Sequence, residues 1–213
     1  MRPLTRALRR ETCAHEAGHA VAFALAGVPV LRLAVAPEGA ERWRTDIRTG
    51  RCCTDLWGLC EKADLVFPRP FMRWLGSEGV LHPDGRGFEE IVDTPLGQAQ
   101  LGGFAPAQRR DIRAHIVGLL GGPVATCLFN GDAAALHTLA ELDDVARAAR
   151  LGRFLCAPDA LPTCFALTAQ VLRQEDIWER VMQLADRLEQ HGELRANLRS
   201  LLPPALPGWL DDD

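Results

Sequence analysis

Five consecutive residues, His15-Glu16-Ala17-Gly18-His19, constrain this chain more than any other part of its sequence. Residues four apart lie one turn above each other on the same face of an α-helix, so a helix here presents two imidazoles to one point. The next six residues, AVAFAL at 20–25, are apolar on most faces of that helix, which predicts that it is buried. A buried histidine or glutamate needs a polar partner, because an unpaired polar group is costly in a core. The pattern therefore predicts a core helix that binds a metal ion between His15 and His19.

The chemistry of this spacing is that of a zinc hydrolase. Histidine nitrogens bind Zn²⁺ at about 2.0–2.1 Å, and a catalytic zinc has three protein ligands and one open position. Zinc lowers the pKa of its water toward about 7, so Glu16, next to the first ligand, can act as the general base and return the proton to a leaving amine. The metzincin extension would require Gly and His where this chain has Ala22 and Leu25, which excludes that class. The third ligand must come from elsewhere in the chain.

The chain as a whole is predicted to be mainly helical, with a small β-ribbon beside the zinc-binding helix. The first helix covers 4–26, in one or two pieces, and Gly27 and Pro29 end it. A short β-prone run follows at 30–35, and the Gly- and Pro-rich stretch from 37 to 105 predicts ribbon and loops with a short helix near 55–65. Helical spacing returns over 107–129, where Gly121-Gly122-Pro123 is predicted to bend or break the helix. Further helices are predicted from a cap at Asp132 to about 153, and over 164–171, 177–188 and 194–201.

Composition excludes several classes of function. A chain of 213 residues suits one domain, and its net charge of −4 predicts no nucleic-acid partner. The single lysine, Lys62, lies outside any Gly-x-x-x-x-Gly-Lys frame, which excludes a Walker-type ATPase. The seven cysteines are odd in number and contain no CxxC pair, which favours reduced thiols over disulfides or a second zinc site. No apolar run reaches the roughly 18 residues of a membrane span, and a secretory leader would remove the motif, so a cytoplasmic protein without membrane insertion is predicted.

Three blocks of the sequence resemble the peptidase domain of the FtsH family of ATP-dependent zinc metalloproteases. The first is AHEAGHAV at 14–21, followed by the strand and VAPEG at 35–39; the family has a similar AYHEAGHA opening and a strand that ends in Pro and Gly. The second, RDIRAHIVGLLGG at 110–122, is similar to the family helix DRIAVLLGGRAAEE. The third, DVARAARL at 144–151, is similar to DLEQATRIA. The resemblance implies a helical array of the FtsH-peptidase type, without the ATPase domain or the membrane anchor.

The same resemblance implies the third zinc ligand. The aspartate of the family's third block is a ligand, and Asp144 occupies that position here. Three neighbours within two turns are the alternatives: Asp143, Glu141 and His137. The chain departs from the family at 40–105, which is longer than the family's connection and matches none of it, and at 123–127, where PVATC replaces RAAEE.

The strand at 30–35 has two interpretations. Zinc peptidases commonly bind an extended substrate along an edge strand beside the metal helix, where main-chain hydrogen bonds supply affinity. An ordinary core strand is the alternative.

Together these observations predict one zinc metallopeptidase domain over residues 1–213. It would hydrolyse peptide bonds without ATP in peptides or unfolded protein segments, as a possible homo-oligomer. The alternatives are a non-catalytic zinc-binding interaction module and a peptidase subunit that acts with a separate ATPase.

Overall fold

A computed structural model describes residues 3–47, 52–54, 56–80, 91, 93–132, 143–155, 157, 159–196 and 198–210. This part of the chain is mainly helical, with a three-stranded antiparallel sheet and a two-stranded ribbon, as predicted at the level of fold class. Its eight α-helices are α1 Arg6–Leu25, α2 Arg69–Ser77, α3 Pro95–Gly102, α4 Pro106–Phe129, α5 Asp143–Gly152, α6 Ala160–Leu172, α7 Glu175–His191 and α8 Leu198–Leu201. Its strands are β1 Val30–Val35, β2 Arg44–Asp46, β3 Cys52–Thr54, β4 Gly58–Lys62 and β5 Glu193–Leu194.

Helix α1 is a single continuous helix, which is one of the two arrangements that the sequence predicted for residues 4–26. The side chain of Thr5 accepts a hydrogen bond from the backbone N–H of Leu8 at 3.3 Å and so caps its first turn. The helix ends just before Gly27, whose φ of 82° is the left-handed conformation that stops a helix. Its C-terminal half is buried almost without interruption, as the apolar run after the motif predicted.

Helix α4 runs through Gly121-Gly122-Pro123 without a break, so the predicted break is wrong. The glycines serve packing: a Cβ on Gly121 would lie 2.5 Å from the carbonyl oxygen of Gly18. In turn, a Cβ on Gly18 would lie 2.3 Å from the Cβ of Ala125. The two backbones approach closely only because both positions lack a side chain, and this contact outweighs the helix cost of about 1 kcal/mol for a glycine and about 3 for a proline.

The sheet has the order β4-β1-β5, and all its pairs are antiparallel. Leu33 lies opposite Cys60 on one side and Leu194 on the other, so β1 is the central strand. The edge-strand interpretation of 30–35 is therefore wrong, and the core-strand alternative is confirmed. The short helix predicted near 55–65 is also wrong: Gly58–Lys62 is β4, because pairing with β1 decides its conformation.

The C-terminal helices lie close to their predicted places. Helices α6 and α7 enclose the ranges predicted at 164–171 and 177–188, whereas the last predicted helix is shorter because its first residue, Leu194, pairs with Leu33 in β5. Helix α5 covers the end of the helix predicted from Asp132 to 153, and the intervening residues 133–142 lie outside the described part.

The core lies on both sides of the α1–α4 contact. Cys13, Ala17 and Val21 pack with β1 and α7 on one side, while Phe23 joins Ile116 and Leu120 on the other. Within the described part, α4 is long and apolar enough to cross a membrane by length and composition, but 78% of its most apolar window is buried inside the protein. A core helix passes the same test, so this property does not indicate a membrane span.

Candidate metal centre

The predicted ligands meet at one point, between α1 and the first turn of α5. The Nε2 atoms of His15 and His19 are 3.0 Å apart. Oδ2 of Asp144 lies 3.3 Å from Nε2 of His15 and 3.2 Å from Nε2 of His19. In the described part of the chain, these three residues form the one group that could hold a metal ion.

The outer nitrogens of both histidines are already hydrogen-bonded, which determines the tautomers. Nδ1 of His19 lies 2.8 Å from the carbonyl oxygen of Gly118, which can only accept, so Nδ1 carries the proton. The N–H of Gly122 also lies 3.2 Å from this Nδ1, but that longer contact cannot be a hydrogen bond to a nitrogen that is itself the donor. Nδ1 of His15 lies 3.0 Å from Oγ1 of Thr126, and this hydroxyl donates to the carbonyl of Gly122 at 3.2 Å, so it accepts from His15.

When the two rings are neutral, which is the form that binds a metal ion, both Nε2 atoms therefore face Asp144 as lone pairs. Three electron-pair donors about 3 Å apart repel one another unless a cation or a proton lies between them. Ligands of a tetrahedral ion bound at about 2.0–2.1 Å are about 3.3 Å from each other, close to the observed separations. Two imidazoles and a carboxylate, each oriented by its own contacts, thus fit a divalent ion.

Helix α4 leaves room for the two rings because residue 122 is glycine. A Cβ there would lie 2.3 Å from Nε2 of His19 and 2.7 Å from Nε2 of His15. Gly122 thus has a steric role in the site that the sequence did not reveal, because Gly121-Gly122-Pro123 was interpreted as a bend or break in the helix.

Asp144 is an ionised ligand candidate. Burial alone would raise the pKa of Asp144, but the charges and hydrogen bonds that His19 and His15 supply when their rings are protonated outweigh burial and hold that pKa well below its usual range. Nη1 of Arg147 lies 3.7 Å from the other carboxylate oxygen, Oδ1. Of the alternatives, Asp143 lines the cleft but is not part of the ligand group. His137 and Glu141 lie outside the described residues.

Glu16 lies beside the ligands on the side of β4. It is 7% exposed, and burial raises its pKa to about 7, although the charge of His15 acts in the opposite direction. A Cβ on Gly58 would lie 2.4 Å from Oε1 and 2.6 Å from Cγ of Glu16, so β4 passes directly against this side chain. A carboxyl group whose pKa is near neutrality can both take up and release a proton in the pH range of most cells.

A cleft of about 530 Å³ opens over the ligands, and we call it the metal cleft. Its floor includes Phe23 and Leu119, and the whole of β4 forms one wall. Among the described strands, β4 pairs only with β1, so no described strand lies along its other edge. Cys60 also lines the cleft, and none of the described cysteines belongs to the group that could hold a metal ion.

The sequence matches no protein-family model, and a search of curated proteins finds no significant match.

Proposed function

We propose that this chain is a zinc metallopeptidase with a fold of the FtsH-peptidase type. The observation that carries the proposal is the arrangement of three lone-pair donors, His15, His19 and Asp144, with the buried carboxyl group of Glu16 beside them. Two histidines and one carboxylate form a ligand set used by catalytic zinc sites, and a site that only stabilised the fold would not need a base next to it.

The residues divide the work of amide hydrolysis between them. His15, His19 and Asp144 would hold a zinc ion, which would supply the Lewis acidity that activates a water molecule and polarises the scissile carbonyl. Glu16 accepts the proton of the attacking water and transfers it to the leaving amine. Thr126 and Gly118 hold the histidine rings in the tautomer that directs Nε2 to the ion.

The substrate class follows from the position of β4. This strand lines the cleft over the ligands. An extended peptide can lie along a strand and form main-chain hydrogen bonds with it, with little demand on the peptide's side chains. Apart from exposed loops, a stably folded protein presents few such segments, and this chain has no Walker A motif to drive unfolding. The proposed substrates are therefore peptides and unfolded protein segments.

The test compares the wild type with Glu16→Gln. The amide keeps the size of the carboxyl group but cannot act as a base, so zinc content should be equal and cleavage of casein should occur only with the wild type. Elemental analysis measures the metal, and gel electrophoresis measures the cleavage. A protein that binds no zinc would refute the proposal. Stoichiometric zinc without cleavage by the wild type would favour the non-catalytic module, or the subunit that needs a separate ATPase.

A further inference from the structure

A second cleft, of about 470 Å³, shares no lining residue with the metal cleft. Its charged walls come from four separate parts of the chain. Arg9 belongs to α1, Arg32 to β1 and Arg44 to β2, while His191 is the last residue of α7 and Glu193 the first residue of β5. We call it the basic cleft. Three arginines that converge from distant positions on one polar cavity are an unusual arrangement, since like charges repel unless something is present to compensate them.

Arg32 forms the base of the basic cleft. Its side chain is 8% exposed, which makes it a buried cation on the central strand. Its terminal nitrogens donate to the carbonyl of Asp46 at 2.6 Å, to Oγ1 of Thr45 at 2.9 Å and to Oε2 of Glu193 at 2.9 Å. Its Nε has no hydrogen-bond partner among the described residues. This Nε is itself buried, so an anion in the cleft would stabilise the guanidinium through its charge and not through a contact with Nε.

The carboxylate of Glu193 does not neutralise the other two arginines. Oε2 of Glu193 accepts from Arg32, and Oε1 accepts from Arg195. Burial would raise the pKa of Glu193, but these hydrogen bonds lower it, so the group stays ionised and fully engaged.

The remaining cationic groups keep hydrogen-bonding capacity for a ligand. Nε of Arg9 donates to the carbonyl of Ala36 at 2.9 Å, while its two terminal amino groups have no partner in the described part of the chain. Arg44 is exposed and lies near Cys52 and the side chain of Asp46. The carboxyl end of α7 adds only about half a negative charge, which leaves the cleft positive.

We propose that the basic cleft binds an oxyanion, the phosphate or carboxylate group of a small ligand. The planar guanidinium groups of Arg9 and Arg44 carry paired N–H donors that match the two oxygens of such a group. A spherical anion such as chloride has no such pair of acceptors. Trp43 also lines the cleft and offers an apolar surface to the rest of the ligand.

Calorimetry with inorganic phosphate and with citrate, at constant ionic strength set by chloride, tests this proposal. The wild type should bind at least one of the two, and Arg9→Gln and Arg44→Gln should each weaken binding at least about tenfold, because each removes charged hydrogen bonds. Arg180→Gln, which removes an exposed arginine from α7 outside the cleft, is the matched control and should change binding less than about twofold. Preference for phosphate or for citrate would identify which oxyanion the natural ligand carries.

Because a bound zinc ion can also attract anions, the titrations are repeated with His19→Ala protein. Oxyanion binding that persists in this variant and disappears in Arg44→Gln supports the basic cleft, whether or not the chain proves to be a peptidase. Binding that all arginine variants retain, or that disappears with the metal, would overturn the proposal, as would the absence of binding by the wild type. Arg44 is exposed, so its variant remains informative even if Arg9→Gln does not fold.

Discussion

The metal cleft has a helical wall, formed by α1, α4 and α5, and a strand wall, formed by β4. His15, His19 and Asp144 all lie on the helical wall, and the two histidine rings are oriented by hydrogen bonds to Gly118 and Thr126. Among the described residues, the strand wall contributes no ligand; Gly58 lies against Glu16, and β4 lines the cleft. Damage to the helical wall should therefore remove the metal, whereas damage to the strand wall should remove catalysis and leave the metal in place.

Asp144→Ala should have the largest effect, because it removes one of the three ligand atoms. Loss of an outer-shell partner typically lowers metal affinity 10- to 100-fold, so we expect loss of a direct ligand to lower zinc affinity by more than about a hundredfold and to abolish cleavage. Competition with a chelator measures the affinity.

Asp143→Ala is the matched control, because Asp143 is adjacent, exposed and outside the ligand group. If both variants retained zinc equally, the third ligand would have to lie elsewhere, and His137 and Glu141 would be the next residues to replace.

Gly58→Ala tests the strand wall. The new Cβ would overlap the carboxyl group of Glu16 and must displace it or β4. A misplacement of about 1 Å in a catalytic group can cost about a hundredfold in rate, so we expect kcat to fall by about that factor with unchanged zinc content. Kinetics with an unstructured peptide, alongside metal analysis, measures both quantities.

Gly76→Ala is the control for glycine removal, since an added Cβ at Gly76 would meet no atom within 4 Å. The Glu16→Gln background provides the stricter comparison. If Gly58 acts only through Glu16, adding Gly58→Ala to Glu16→Gln should change the residual rate very little. A further hundredfold loss there would show that β4 contributes in another way.

Thr126→Val should have an intermediate effect on the helical wall. Valine has nearly the shape of threonine but cannot accept a hydrogen bond from the Nδ1–H group of His15. The tautomer that leaves Nε2 free to bind the ion is then no longer favoured. Zinc affinity should fall about 10- to 100-fold, the range for an outer-shell hydrogen bond. Thr126→Ser keeps the hydroxyl group and should retain most of the affinity; equal affinities for serine and valine variants would contradict the orienting role.

The two walls also differ in how far the sequence could predict them. His15, Glu16 and His19 are close in the chain, so helical spacing alone predicts their shared face, and the resemblance to the FtsH family adds Asp144. By contrast, the His15–Thr126 contact joins residues 111 positions apart, and no local pattern reports such a pairing. β4 was missed because its pairing with β1 is a tertiary interaction. Gly121 and Gly122 were interpreted as helix breakers. Their structural role is to allow close contact between α4 and α1, and only the packed structure shows that contact.

Thr5→Ala should have the smallest effect and tests whether the helical wall depends on the end of α1. Thr5 caps the first turn, and its loss should destabilise the protein by about 1 kcal/mol. His15 lies ten residues further along, about 15 Å at the rise of an α-helix, and the intervening Arg10 forms ion pairs with Asp186 and Glu189 of α7. Fraying should therefore stop before the motif, so the urea midpoint should fall while zinc affinity and kcat stay within about twofold of the wild type. Thr5→Ser, which can still cap the helix, should preserve the midpoint. A parallel loss of zinc affinity in Thr5→Ala would mean that the ligands are held by the whole length of α1, and not by the local contacts with α4.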